Sequence, residues 1–161
     1  MVRAIMHGCN GHMGQVITGL IKADEGIELV AGIDKYTGIA NDYPVFESLE
    51  KCDVEADVII DFSNAAAADA LLTYCEEKKM PVVLCTTGLS EEQLAKIPEA
   101  AKKTAVLKSA NMSLGINLLM KLLKEAPKFL HRQDMIWRLL KSITTRSWTH
   151  RAEQQLRLRI L

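Results

Sequence analysis

The run VRAIMHGCNGHMG, residues 2–14, sets a short apolar stretch directly before three glycines, Gly8, Gly11 and Gly14, at a G-x-x-G-x-x-G spacing. Met13, Val16, Ile17, Leu20 and Ile21 then recur at helical spacing as far as Asp24. Strand, glycine turn and helix in that order predict the opening of a βαβ unit, in which the chain crosses over and returns as a parallel strand.

The pattern continues. IELVAGID (27–34) reads as a second strand, and ADVIIDFS (56–63) as a third, apolar on both faces like a central parallel strand covered by helices on each side. Asn64 is read as the cap of a helix over AAAADALLTYCEEKK (65–79), and Pro81 opens the strand PVVLCTT (81–87). Ser90 and Gln93 form a capping box before EEQLAKIPEAAKK, followed by a strand at AVLKSA (105–110) and a helix from Ser113 to about Glu125. Strand and helix alternate throughout, which predicts an α/β fold with a Rossmann-like, doubly wound parallel sheet.

Such a sheet binds ligands at the carboxyl ends of its strands. After the first strand, Gly8, Gly11 and Gly14 lack side chains, so backbone N–H groups can approach a pyrophosphate at a helix N-terminus, where negative charge is favoured. Strand before and helix after make this a dinucleotide signature rather than a merely tight turn. Asp34 ends the second strand twenty residues past Gly14, where its carboxylate can accept both hydrogen bonds of an adenosine ribose diol. That favours NAD(H) over NADP(H), although Lys35 beside it can offset part of the repulsion of a 2′-phosphate and dual use stays open. Phe62, after the third strand, can lie against a cofactor; Thr86, Thr87 and Gly88, after the fourth, suit hydroxyl and backbone contacts to a ribose or carboxamide. Taken singly, the Asp61-Phe62-Ser63 run is more often a cap and Thr-Thr-Gly more often a turn. Asn111 and Ser113 can bond a carboxamide, and Ser113 can equally cap the helix it precedes.

The cysteines, Cys9, Cys52, Cys75 and Cys85, show no paired metal-ligand spacing, so no metal site is expected, and Cys85 reads as a small buried hydrophobe. No signal peptide precedes them and no apolar run has membrane-spanning length. A reduced, cytoplasmic protein without a membrane partner is expected.

Taken in order, G-x-N-G-x-M-G, the acidic end of the second strand, D-F-S, T-T-G and S-A-N-M-S-L-G-I-N resemble the 4-hydroxy-tetrahydrodipicolinate reductases of lysine and diaminopimelate biosynthesis over residues 1 to about 134. The resemblance implies that the segment Gly8, Cys9, Asn10, Gly11, His12 and Met13 binds the pyrophosphate of NAD(H) or NADP(H), and that Asp34 and Lys35 meet the adenosine ribose. It implies that Cys85, Thr86 and Thr87, with Ser109, Ala110, Asn111 and Met112, line the nicotinamide side, Cys85 standing where glycine is usual. It also implies an oxidoreductase, homotetrameric as a whole enzyme, that passes a hydride from NAD(P)H to a cyclic unsaturated dicarboxylate. That family's substrate domain carries K-H-H-x-x-K-x-D-x-P-S-G-T-A, with a His as acid, a Lys for charge and a turn that holds a carboxylate; the sequence contains no such run, so no catalytic residue is assigned.

Composition breaks near Asp134. Residues 1–134 hold 14 Lys and Arg against 19 Asp and Glu, whereas 135–161 hold 6 against 1, with both Trp and no Gly or Pro. Codon arithmetic offers a reason. Read one base out of register, Met135-Ile136 and Trp148-Thr149 each force Asp, and positions 135–155 permit D-M-E-I-V-E-K-H-H-N-Q-K-L-D-A-P-S-G-T-A, which contains the absent motif. The expectation is a one-base loss just after the Asp134 codon, giving an incomplete nucleotide-binding domain over 1–134 and an aberrant basic tail over 135–161. Such a chain is expected to be inactive alone and its assembly doubtful. The tail's five Arg show no helical face and its Trp are not interleaved with them, so no nucleic-acid partner is expected. Two further readings remain: another NAD(P)-dependent dehydrogenase fragment, which would need an activated cysteine with a His partner, and a stand-alone nucleotide-sensing module.

Overall fold

The computed structural model describes residues 1–109 and 111–125, and these fall into two compact units that divide after residue 110. The tail over 135–161 and Ala110 lie outside the described residues.

In the first unit the expected alternation is realised as β1 (Val2–His7), α1 (His12–Ile21), β2 (Ile27–Ile33), β3 (Val45–Phe46), β4 (Val58–Asp61), α2 (Ala68–Lys78), β5 (Val82–Leu84), α3 (Glu91–Ala100) and β6 (Val106–Lys108). All six strands join one sheet in the order β3-β2-β1-β4-β5-β6, every described pair parallel. The order reverses between β1 and β4, which opens a crevice beyond their carboxyl ends. Register sets His7 opposite both Ile33 and Asp61, so the ends of the three central strands are level.

Each face of the sheet has its own core. Ile5, Ala31, Ile33, Ile59, Val82 and Leu84 pack with Leu71 and Cys75 of α2 on one face. Met6 packs with Cys9 and Tyr43 on the other, where Ile17 of α1, Ile60 and Phe62 close over them. Leu71 and Leu84 are wholly buried, and each side chain of that size stabilises the fold by roughly 1.5–3 kcal/mol.

The sheet contains one strand more than expected, because Val45–Phe46 is two residues long and too short to show a period. Asn64 departs from its expected role. Its side chain makes no cap bond, a short 3-10 turn (Ala65–Ala67) follows it, and α2 starts only at Ala68. The turn is held from outside: Gln93 of α3 donates to the Ala65 carbonyl at 2.7 Å and to Asp69 Oδ2 at 2.9 Å. The same Gln93 completes the expected capping box, accepting from Ser90 N–H at 3.0 Å while its own N–H donates to Ser90 Oγ at 3.2 Å.

The second unit is described by α4 (Leu114–Glu125) and its entry. Ser113 caps this helix, its Oγ accepting from Ile116 N–H at 3.3 Å, and Asn111 Oδ1 accepts from Ser113 N–H at 2.8 Å.

Candidate functional site: a nucleotide crevice at the strand ends

Gly8 turns the chain out of β1 with φ +82°, a conformation that L side chains rarely adopt. A Cβ there would also lie 2.8 Å from the Phe62 carbonyl oxygen, so the segments leaving β1 and β4 touch backbone to backbone. Gly14 is tighter still. Its Cβ would stand 2.2 Å from the Gly8 carbonyl oxygen, and the missing side chain lets α1 sit directly on the turn.

The amides of this turn can be accounted for one by one. Gly8 N–H donates to the Ile33 carbonyl at 2.8 Å, Cys9 N–H to the same oxygen at 3.4 Å, Asn10 N–H to Asp34 Oδ2 at 3.0 Å and Gly11 N–H to the Gly8 carbonyl at 3.2 Å. The helix then begins with Gly11 at its N-cap, no side-chain cap bond and no acidic residue in its first turn. First-turn amides have no intrahelical acceptor, so those of His12, Met13 and Gly14 are left without a helical partner. Within the expected pyrophosphate segment, Cys9 is turned away and wholly buried against Met6 and Tyr43, while His12 and Met13 are exposed at the helix start. Burial and the Asp34 charge push the Cys9 thiol up to about 11, which leaves it a packing residue.

Asp34 is half-buried and fixed. Its Oδ2 takes the Asn10 amide, and its Oδ1 takes Tyr36 N–H at 3.0 Å. Asn10 Nδ2 donates to the Tyr36 carbonyl, Asn41 Nδ2 donates to Asn10 Oδ1 at 2.8 Å, and Gln15 Nε2 donates to Asn41 Oδ1 at 3.1 Å and to the Cys9 carbonyl at 2.9 Å. These bonds lock the segment after β2 onto the glycine turn. Each carboxylate oxygen keeps a lone pair beyond the one used, so the ribose role expected of Asp34 is compatible with its internal bonds. Lys35 and Tyr36 are exposed beside it.

On the other side of the crevice the ends of β4 and β5 converge on one buried carboxylate. Asp61 is 0% exposed; His7 Nδ1 stands 2.9 Å from its Oδ1, and Ser63 donates to the same oxygen through Oγ at 2.6 Å and N–H at 3.2 Å. Thr86 Oγ1 lies 3.4 Å from Ser63 Oγ. Burial would push the Asp61 carboxyl up, but its polar neighbours His7, Ser63 and Thr86 outweigh it and hold the group below the usual carboxylate range, while its Oδ2 is buried without a hydrogen-bond partner among the described residues. Thr86 is therefore turned inward, whereas Thr87 and Gly88, with φ +75° at the glycine, are exposed. Cys85 is buried; burial and then the Asp61 charge push its thiol up to about 11. Phe62 places its ring among the Met6, Cys9 and Tyr43 group and its carbonyl against Gly8.

Ser109 continues from β6, its N–H donating to the Leu84 carbonyl at 3.1 Å. Asn111 and Met112 belong to the second unit, where the Asn111 carbonyl accepts from Asn117 Nδ2 at 3.1 Å and Met112 is exposed. Sequence reasoning passed over His7, Asn41 and Gln15. His7 had a signal, being a polar residue closing an otherwise apolar strand; Asn41 and Gln15 had none, because their role depends on a loop folding back over the turn.

The sheet order, the glycine turn against a helix start and the acidic end of β2 define a nucleotide-binding α/β domain of the Rossmann-like class. Residues 2–112 match the family described as "Dihydrodipicolinate reductase, N-terminus", and the chain belongs to that family. It is 48% identical over 132 residues to the 4-hydroxy-tetrahydrodipicolinate reductase of Clostridium tetani (strain Massachusetts / E88), covering 82% of this chain and 52% of the relative. The enzyme of that name from Caldanaerobacter subterraneus subsp. tengcongensis is 49% identical over 135 residues, or 84% of this chain and 53% of the relative. Among solved structures, the dipicolinate-bound dihydrodipicolinate reductase from Paenisporosarcina sp. TG-14 superposes with a TM-score of 0.71 at 26% identity, over 80% of this chain and 54% of that one. The WlbA dehydrogenase from Bordetella pertussis, in complex with NADH and UDP-GlcNAcA, shares the fold, with a TM-score of 0.61 at 19% identity over 79% of this chain and 39% of that one. The chain thus spans about half the length of the curated relatives it matches.

Proposed function

We propose that this chain is the nucleotide-binding half of a 4-hydroxy-tetrahydrodipicolinate reductase and that its crevice takes NAD(H) or NADP(H). The observation that carries the reading is the turn itself: a Cβ at Gly8 or Gly14 would strike backbone, and the amides of His12 and Met13 are left for phosphate oxygens. In this reading Gly11 admits the pyrophosphate, Asp34 accepts from the adenosine ribose diol, and Lys35 and Tyr36 edge the same subsite. Thr87, Gly88 and Ser109 face the nicotinamide end. The cofactor supplies the hydride; the residues of this chain bind and orient it. The substrate proposed for the whole enzyme is a cyclic dicarboxylate, in keeping with the dipicolinate bound by the Paenisporosarcina relative.

Residues 135–161 we read as the substrate segment translated one base out of register, so conversion of the dicarboxylate is not expected from this chain as written. Two measurements test the reading. Calorimetric titration with NADH should give saturable 1:1 binding, and absence of binding would refute the nucleotide site. Sequencing the gene across codons 130–162 should reveal the lost base after the Asp134 codon, and normal turnover of the dicarboxylate by the 161-residue chain would refute the frame reading.

A further inference from the structure

His7, Asp61, Ser63 and Thr86 come from three different segments, the end of β1, the end of β4 with its exit, and the end of β5. His7 and Ser63 meet on the Asp61 carboxylate, which no solvent reaches, and Thr86 joins the group through the Ser63 hydroxyl. A buried charge costs several kcal/mol unless neighbours compensate it, and it ties down whichever groups do so. Here those groups are His7 at the end of β1 and the β4 exit, through both the amide and hydroxyl of Ser63, whose Oγ in turn lies 3.4 Å from Thr86 Oγ1, immediately before Thr87 and Gly88. The adenosine side of the crevice is tied by a separate set, Asp34, Asn10, Asn41 and Gln15, none of which bonds the Asp61 group in the hydrogen bonds described above. The two halves are thus braced independently.

We propose that Asp61 is a positioning residue for the nicotinamide half of the crevice. It holds the β4 exit and the Thr86–Gly88 turn at the spacing the nicotinamide carboxamide requires, while leaving the adenosine, pyrophosphate and ribose contacts to the rest of the crevice. The proposal rests on the dinucleotide reading and divides it into two parts that can be measured separately. ADP-ribose carries everything in NADH except the nicotinamide, so it reports on the adenosine and pyrophosphate side.

Asp61→Asn keeps the shape but removes the charge and one acceptor. Titrated by calorimetry, it should bind NADH about tenfold more weakly, the loss of one charge-assisted hydrogen-bond set, and ADP-ribose within about twofold of the wild type. A parallel fall in both ligands, or no change in either, overturns the proposal, since a merely structural role would not single out the nicotinamide. A wild-type chain that binds neither ligand instead overturns the dinucleotide reading beneath it. Should Asp61→Asn not fold, Ser63→Ala replaces it: selective loss of NADH affinity that Ser63→Thr restores supports the assignment, and equal affinities for all three proteins reject it.

Discussion

Gly14 and Gly19 lie on the same helix in opposite circumstances. A Cβ at Gly14 would sit 2.2 Å from the Gly8 carbonyl, whereas one at Gly19 would meet nothing within 4 Å. Gly14→Ala is therefore expected to destabilise the domain by about 1–3 kcal/mol and to abolish NADH binding, because the turn must open to relieve the overlap. Gly19→Ala is expected to stabilise it by up to about 1 kcal/mol through helix propensity alone. Urea denaturation of the two variants checks both signs. Asp61 adds a prediction in pH. Its carboxyl is held below the ordinary value near 4, so the unfolded chain takes up the proton first. The stabilisation from its partners is complete above that value and is lost as the pH falls through the lower folded one. The stability gap between wild type and Asp61→Asn should accordingly be constant from pH 7 to about 5 and shrink below about 4, and a gap unchanged at pH 3 would contradict the assignment. Of these residues, the glycines and Asp34 announce themselves by spacing. The partners of Asp61 do not, because His7 and Thr86 are 79 residues apart and only the β1-β4-β5 order brings them together.

The elements that sequence periodicity delimits well are those with local signals. The Ser90–Gln93 box is one, and it does more than local patterning can tell, since Gln93 also holds the 3-10 turn that precedes α2. Ser90→Ala should cost about 1 kcal/mol for the lost cap. Gln93→Ala should cost more, because it also frees Ala65 and Asp69; thermal melts of the pair check the order. At the other end of α2, Lys79 adopts a left-handed conformation with φ 52° that closes the helix, its N–H bonding the Cys75 carbonyl. Glycine carries no penalty in that conformation, so Lys79→Gly should stabilise by up to about 1 kcal/mol, read as a higher midpoint in the same melts. Where periodicity misleads, the cause is tertiary: β3 exists only because β2 offers it an edge, and Asn64 loses its cap role because a neighbouring helix fixes that turn.

Across the sheet, the strand ends of β1, β2 and β4 form one level rim, and the crevice above it is braced on two sides by independent polar groups. A ligand that bridges both sides binds the folded state alone, so it must raise the stability of the whole unit by RT ln(1 + [L]/Kd). At a hundredfold excess over its dissociation constant NADH should add about 2.7 kcal/mol, roughly a 10 °C rise in melting temperature for a domain of this size. NADPH at the same concentration should give less. Asp34 cannot swing away without releasing the Asn10 and Tyr36 amides, and a 2′-phosphate ~4 Å from its charge meets about 4 kcal/mol of repulsion per unit charge at a near-surface dielectric, which Lys35 offsets in part. Asp34→Asn keeps the bond to a backbone amide but removes the charge and one acceptor, so it should lower the NADH and ADP-ribose shifts together and narrow the NADH to NADPH difference. Equal shifts from the two dinucleotides in the wild type would overturn the prediction that the Asp34 charge discriminates between them.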